Sequence, residues 1–362
     1  MEFESRIITY GDLREGFHFE NDKYGIASYE YEARRNTFLA NPNIGEDSDS
    51  YMYLKLAEGI PVGRSIQFDT RLKVGNEIVP MYSGSALKVV EDFRQYGIGG
   101  EVFAYSRRIK KRNILISAGI SDDALPLYKV MKYTFFDLPK MLQVRDSKPL
   151  LGKKGITGAS QKLLGAFING GLRCVSAFSF FKTKTLYRKY KLKPVAEVPE
   201  WVNELTLKDG HKYCEAHDHK WLQWNLDYGF RSKDGHNIQS FYVITSEGKP
   251  MGFVMTKERF RSHTQGLENV TIGSIVEWGS YNENLLSEAD IYRLSLKTFT
   301  PSVDIVEIAT NDAKTLKSIK RLGFIRHGVA RIAIKDKTKQ LLDIADETKW
   351  RLRYGYADVI LN

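Results

Sequence analysis

The chain has 362 residues, 42% of them hydrophobic and 27% charged, with a formal net charge of +10. That composition excludes a disordered or fibrous chain, and the length exceeds a single domain of roughly 100–200 residues, so two domains are expected. The basic balance favours anionic partners such as a phosphorylated cofactor, a nucleic acid or an acidic membrane surface. Two cysteines, Cys174 and Cys214, are too few for a disulfide framework. Without an N-terminal signal sequence, a reducing cytoplasm is the expected location.

Taken in chain order, Tyr24 to Leu39 reads as a helix and "ANPNIGEDSDS" as a loop. "YMYLKLAEGIPVGRSIQFDTRLKV" alternates around a glycine turn, which is a hairpin signal. "SALKVV" is a strand, and "GEVFAYSRRIKK" follows it as a helix with a basic end. "ILISAGI" is a short buried strand, "SDDALPLYKVMKY" a helix with Ser121 as its N-cap, and "YTFFDLPKMLQV" closes the unit. This order is that of an α/β or α+β layer, a mixed sheet flanked by helices.

From Lys148 to Lys193 there are eleven Lys or Arg residues and no Asp or Glu. Within this run lies "LLGAFINGGLRCVSAFSFF", whose Asn169-Gly170-Gly171 and Arg173 interrupt the apolar pattern that a membrane span of about 20 residues needs. It reads as a connector between two domains, with an anionic surface as the sharper use of its charge.

The second half repeats the first. "AEGIPVGRSI" matches "SEGKPMGFVM", with Gly59 and Gly248 standing 189 apart (248 − 59). Gly84 and Gly273, and Asp123 and Asp312, keep that offset in two further segments. Three segments at one gapless offset indicate an internal duplication. The expected organisation is therefore residues 1–147 as one unit, 148–195 as a basic connector and 196–362 as a second copy.

"EDFRQYGIGGEVF" carries the chemistry. A strand ends, glycines permit a tight turn and a helix begins, so unpaired helix N–H groups face any ligand there. Gly97, Gly99 and Gly100 clear the approach and Arg94 adds positive charge, a cradle suited to a pyrophosphate. A Walker loop would require Gly-Lys-Ser/Thr, which is absent, and a dinucleotide fingerprint would stand earlier in its unit.

Arg94-Gln95-Tyr96-Gly97-Ile98-Gly99 resembles the pyrophosphate loop of the GNAT superfamily of acyl-CoA-dependent N-acyltransferases, Arg/Gln-x-x-Gly-x-Gly/Ala. "ILISAGI" stands where that family has a second strand splayed from the first, and Asp123, Ala124 and Tyr128 stand where it has a polar residue, a small residue and a tyrosine. The family more often has Asn at the position of Asp123. The resemblance covers Tyr51 to Val144 with its motif intact.

It implies acetyl-CoA or another acyl-CoA on the loop Arg94, Gln95, Tyr96, Gly97, Ile98, Gly99 and Gly100. Val89 and Val90 would pair with the pantetheine arm, and Tyr128 would protonate the leaving thiolate. The base would be Glu91, Asp92 or an acid acting through water, and no metal is implied. The acceptor would be a primary amine on a small molecule or saccharide, such as an amino sugar or nucleotide-sugar. At the 189 offset Arg94 maps to Glu283, Gly97 to Leu286, Gly99 to Glu288 and Tyr128 to Lys317, so the second copy reads as degenerate and as a wall of the acceptor site.

"HKYCEAHDHKWLQW" invites a metal reading, since helical spacing would put His211, Cys214 and Asp218 on one face. No second ligand pair follows, and a helix with Trp221 and Trp224 packed inward, near the acceptor, is the competing assignment. "WRLRYGYADVILN" reads as a last strand with Trp350 and Tyr354 buried. The alternatives to an N-acyltransferase are a tRNA-dependent aminoacyl transferase of related tandem fold, a non-catalytic CoA-binding protein, and a nucleic-acid binder using Phe178, Phe180, Phe181 and Tyr187 as stacking groups.

Overall fold

A computed structural model describes residues 1–27, 35–108, 113–228, 237–264 and 266–357. Strand β1 (Phe3–Thr9) leads into helix α1 (Tyr10–Glu15), whose start is fixed by a reciprocal cap: Asp12 N–H donates to Thr9 Oγ1 (3.1 Å) and Thr9 N–H to Asp12 Oδ2 (2.7 Å). Of the helix expected over Tyr24–Leu39, residues 35–39 are helical and 24–27 form turn and bend, while 28–34 lie outside the described residues. The first half continues as β2 (Ser50–Ala57), β3 (Ile60–Val74), β4 (Glu77–Val89), a 3-10 turn (Glu91–Tyr96), α2 (Ile98–Arg108), β5 (Ile114–Ala118), α3 (Leu125–Val130) and β6 (Thr134–Val144). Helix α3 begins later than expected: Ser121 closes a turn by accepting the Ala124 and Leu125 N–H groups, and Pro126 lies in the first helical turn.

The connector forms α4 (Lys148–Lys153) and α5 (Gly158–Lys189). Asn169-Gly170-Gly171, expected as an interruption, lies inside one continuous helix. The Asn169 side chain offsets part of the glycine cost by accepting the Ser147 N–H (2.9 Å) and donating to Asp146 Oδ1 (3.1 Å). At its far end Leu186 and Tyr187 pack into the second half. Among the described residues no helix is long and apolar enough to cross a membrane.

The second half runs β7 (Lys191–Val195), α6 (Val202–Lys208), β8 (Tyr213–Glu215), α7 (His219–Tyr228), β9 (Asn237–Ser246), β10 (Lys249–Thr264), β11 (Leu267–Ser280), α8 (Glu288–Ser295), β12 (Ile305–Ala309), α9 (Ala313–Lys320) and β13 (Ile325–Asp336). The duplication is visible in backbone geometry. Glu58 and Gly59 turn the β2–β3 hairpin with φ of 50° and 77°, and Glu247 and Gly248 turn β9–β10 with 51° and 78°. Positive φ at both central residues is what a two-residue hairpin of the strand-matching hand requires.

Among the described residues thirteen strands form one sheet, in the order β1-β2-β3-β4-β5-β13-β6-β12-β11-β10-β9-β7, with β8 added to β3. The last strand of each half is exchanged. β13 lies between β5 and β6, and β6 between β13 and β12. Alternation along β2 sets the two faces. Met52, Leu54 and Leu56 join Phe68, Trp221 and Trp224 on one side, while Tyr53 and Ala57 meet Ile98 and Val102 of α2 on the other. The first face is a contact between halves, sealed where Trp224 Nε1–H donates to Thr37 O (2.7 Å).

Candidate functional site

Strands β4 and β5 pair in parallel at Tyr82–Leu115 and Ser83–Ile116 and then part. From Gly84 onward β4 has no strand partner on that side among the described residues. The gap is lined by backbone. Val90 N–H donates to Val62 O (2.9 Å), so Val90 faces β3, and the alternation of an antiparallel ladder turns the N–H and C=O of Val89 toward the gap. Between them and the apex, Ala86 and Leu87 oppose the single residue Ser65, a β-bulge that re-aims the edge of β4, with Ala86 at φ 49°.

The gap opens onto the expected loop. Arg94, Gln95 and Tyr96 end the 3-10 turn and are exposed. Gly97 follows at φ 72°, a left-handed conformation that costs an L-residue about 1–2 kcal/mol. Its N–H is used by Arg94 O (3.2 Å), and the first intrahelical donor of α2 is Glu101. The N–H groups of Ile98, Gly99 and Gly100 therefore precede the helical ladder and carry the positive end of its dipole. Gly63 in β3 lets α2 sit this close, since a Cβ there would lie 2.8 Å from Ile98 Cγ2. The acid on the first turn, Glu101, is met by the buried Lys55 amine.

Helix α3 brings Tyr128 to the same side. Leu127 lies against Gly100, and the buried Tyr128 ring stands edge-on to Phe103 (4.6 Å) and Tyr133 (4.9 Å). Asp123 is exposed on the turn before α3, and Glu91 is exposed at the start of the 3-10 turn.

One residue at this site escaped the sequence analysis. Arg107, at the end of α2, is buried, donates through Nε to the Tyr133 hydroxyl (3.0 Å) and reaches toward Ser117 Oγ (3.5 Å). It lies across Gly84, where any Cβ would collide with the guanidinium. No carboxylate pairs with it among the described residues, an expensive arrangement for a buried cation. A glycine inside a strand is the signal that could have revealed it, because such a residue marks close approach.

In the second half the same gap is occupied. Strands β11 and β12 pair at Ile272–Ile305, Gly273–Val306 and Ser274–Glu307; Ile272–Ile305 reproduces Ser83–Ile116 at the 189 offset. Beyond that point the chain's own C-terminal segment enters. Arg353 bridges to Thr310 at the end of β12, and Gly355 N–H donates to Val276 O (2.9 Å), the counterpart of Leu87. Glu283, at the Arg94 position, is salt-bridged to Arg351. Leu286, at the Gly97 position, is fully buried, and Lys317, at the Tyr128 position, is exposed. A last strand was expected over Trp350 to Asn362, of which 358–362 lie outside the described residues, leaving residues 350–357. They instead form isolated bridges, with Trp350 buried and Tyr354 half-buried, because they thread between strands rather than extend a ladder.

The histidine-rich stretch is also corrected. His211 to Glu215 is not helical; β8 takes Tyr213–Glu215, and α7 starts at His219. His211 bonds Asp209, His219 bonds Asn203, and Cys214 is buried, which pushes its thiol up to about 12. Among the described residues no three His, Cys, Asp or Glu side chains gather as a metal site. His217 instead lies buried between Glu215 and Glu277, stacked on Trp221. Trp221 and Trp224 pack inward as expected. The side chains of Phe178, Phe180 and Phe181 lie outside the described residues, whereas Tyr187 donates its hydroxyl to Arg293 O (2.7 Å) and packs in the core.

No family model and no curated protein sequence matches the chain. Solved structures do. A GCN5-related N-acetyltransferase from Anabaena variabilis is 14% identical, with 93% of this chain and 73% of that one covered at a TM-score of 0.52. A probable N-acyltransferase from Enterococcus faecalis is 13% identical, over 95% and 75%, at 0.54. The N-myristoyltransferase of Saccharomyces cerevisiae, with bound myristoyl-CoA and inhibitors, is 14% identical, over 92% and 80%, at 0.57. At such identities the likeness is one of fold alone, the fold that this chain shares with the GCN5-related N-acetyltransferase, the probable N-acyltransferase and the N-myristoyltransferase.

Proposed function

We propose that this chain is an acyl-CoA-dependent N-acyltransferase whose first half holds the acyl-CoA. The observation that carries the reading is the β4–β5 gap, which no strand fills among the described residues. It leads directly to the Gly97 turn and the amides of Ile98 to Gly100, whereas the equivalent gap in the second half is filled by the chain itself. In this reading the pyrophosphate takes those amides with Arg94 beside it, and the pantetheine arm pairs with the free edge at Val89. The thioester then lies at the bulge, where backbone N–H groups polarise its carbonyl. The acceptor amine attacks that carbon, the C–N bond forms, and the C–S bond breaks with Tyr128 giving its proton to the thiolate. Glu91 is our choice of base, acting through water from the mouth of the loop.

Acetyl is the acyl group we favour. The yeast N-myristoyltransferase structures hold myristoyl-CoA, but here Arg107 lies across the inner end of the gap, and a buried cation offers no apolar continuation to a long chain. For the acceptor we favour a primary amine on an anionic saccharide such as a nucleotide-sugar, in keeping with the net charge of +10. The second half would wall its site through α7. A tRNA-dependent aminoacyl transferase shares the duplicated fold, and the intact loop Arg94–Gly99 weighs against it.

The test is thermal unfolding with acetyl-CoA and with myristoyl-CoA, on the wild type and on Gly97→Glu. A ligand at a hundredfold excess over its dissociation constant stabilises by about 2.7 kcal/mol. The expected result is a rise in midpoint with acetyl-CoA that Gly97→Glu loses. No rise with either ligand would overturn the reading. A rise with myristoyl-CoA alone would overturn the acetyl assignment and retain the site, and binding without turnover on any amine would leave a non-catalytic CoA-binding protein.

A further inference from the structure

Over its first turns helix α5 sets Gly165 and Asn169 inward and Leu163 and Phe167 outward. Gly165 is buried against Leu151 and Ser147, and Asn169 holds the Ser147 N–H. On the opposite side Leu163 and Phe167 are each 81% exposed, with Gly170 continuing the line one turn on and Leu164 exposed beside it. In the sequence the same spacing runs on to Cys174, Phe178 and Phe181, whose side chains lie outside the described residues. The helix has 32 residues and is therefore about 48 Å long.

The charge around this face has one sign. Lys148, Lys153, Lys154 and Lys162 are exposed at its near end, and Lys184, Arg188 and Lys189 at its far end. No acid interrupts residues 148–193. Exposed leucine is excluded from water at a gain but offers nothing to a phosphate or a base, so the apolar line points away from nucleic acid. A second copy of this face would bring like charges together. An anionic lipid surface satisfies both features, since headgroups meet the lysines while the side chains of Leu163 and Phe167 enter the acyl boundary.

We propose that the outer face of α5 docks the protein in the plane of an anionic membrane surface. It is a second working surface, separate from the β4–β5 gap, and it does not depend on what that gap binds. The test mixes the full chain with phosphatidylcholine vesicles, with and without phosphatidylglycerol, and measures the pelleted fraction as salt is raised. Pelleting is expected only with phosphatidylglycerol, and it should weaken with salt. Leu163→Glu/Phe167→Glu should lower the partition by at least tenfold while the thermal midpoint stays near that of the wild type. Lys154→Gln/Lys162→Gln should lower it about 25-fold, at about fivefold per charge, and keeps the test decisive if the first variant misfolds. The proposal is overturned by no pelleting with phosphatidylglycerol, or by pelleting of both variants at the wild-type level. It is also overturned by retention on RNA in place of vesicles, or by a lipid-free dimer that Leu163→Glu/Phe167→Glu dissociates.

Discussion

In the first half β4 and β5 separate beyond Ser83 and Ile116, and the gap meets a glycine turn; in the second, β11 and β12 separate beyond Ser274 and Glu307, and the gap holds Arg353 to Gly355. The scaffold is common to both, down to a bulge at Leu87 in one and at Val276 in the other. What differs is the occupant. Parted strands leave backbone N–H and C=O groups without partners, and such groups must be satisfied by something. The second half satisfies some of them with residues 353–355 of its own tail, and Glu283, at the position of Arg94, is salt-bridged to Arg351 of the same segment. Among the described residues the first half keeps its edge open, and it places a buried arginine over Gly84; at Gly273 in the second half a Cβ would lie 2.7 Å from the Phe299 ring instead.

The strongest way to break this comparison is to loosen the tail. Arg353 is paired with Glu277 (2.9 Å) and Asp209 (3.6 Å), all three buried. Arg353→Met removes one cation from a buried cluster in which Glu277 keeps His217 and Asp209 keeps Arg351 and His211, and breaking a buried pair by removing one partner costs about 3–5 kcal/mol. Denaturant unfolding should show a loss of that size. A loss below about 1 kcal/mol, as for an exposed pair, would mean that the tail does not hold the second half together.

Chemistry should divide the halves next. Tyr128→Phe removes the proton donor proposed for the thiolate and should lower turnover about 100-fold, within the usual range for one acid–base group. Lys317→Met, the same position in the second copy, should leave turnover unchanged. Equal effects at both positions would reject the assignment of the reaction to the first half.

A smaller effect lies in the pH dependence of the contact between halves. Burial alone would pull His217 down, but Glu277 and Glu215 outweigh it and lift its pKa to about 9. Glu215 in turn accepts from Thr70 Oγ1 of the first half (2.7 Å) and from Ala357 N–H of the tail (2.7 Å), so the proton on His217 helps to join all three. Because the folded value is above the unfolded one of about 6.5, this stabilisation is complete below about pH 6.5 and is lost as pH rises toward 9. The wild type should therefore lose stability across that window, and His217→Gln should be weaker at the acidic end with a flatter profile. Parallel profiles would place the titration elsewhere.

Much of this could be read from residues in order. Glu58-Gly59 and Glu247-Gly248 specify hairpin turns by local backbone preference, and their common offset marks the internal repeat in the sequence itself. The left-handed turn at Gly97 and the helix start after it could be read from the run Arg94 to Gly100, because glycine conformation and helix amides are local properties. The lack of acid from Lys148 to Lys193 was likewise plain, although the glycines within it proved compatible with one long helix.

Other features required the chain to be folded. The exchange of β6 and β13 depends on pairing between residues nearly 200 apart, and each strand's own pattern would suit either neighbour. The helix expected through His211 and Cys214 became a strand because the free edge of β3 took it, and tertiary pairing overrides weak local preference. Arg107 looked like one more base at a helix end until Gly84, 23 residues earlier, left room for it to cross the strand. The tail entered the second gap for the same reason. Local sequence sets which conformations each segment can adopt, but which unpaired edge a segment satisfies is a contest among all segments that can reach it, decided only when the whole sheet has formed.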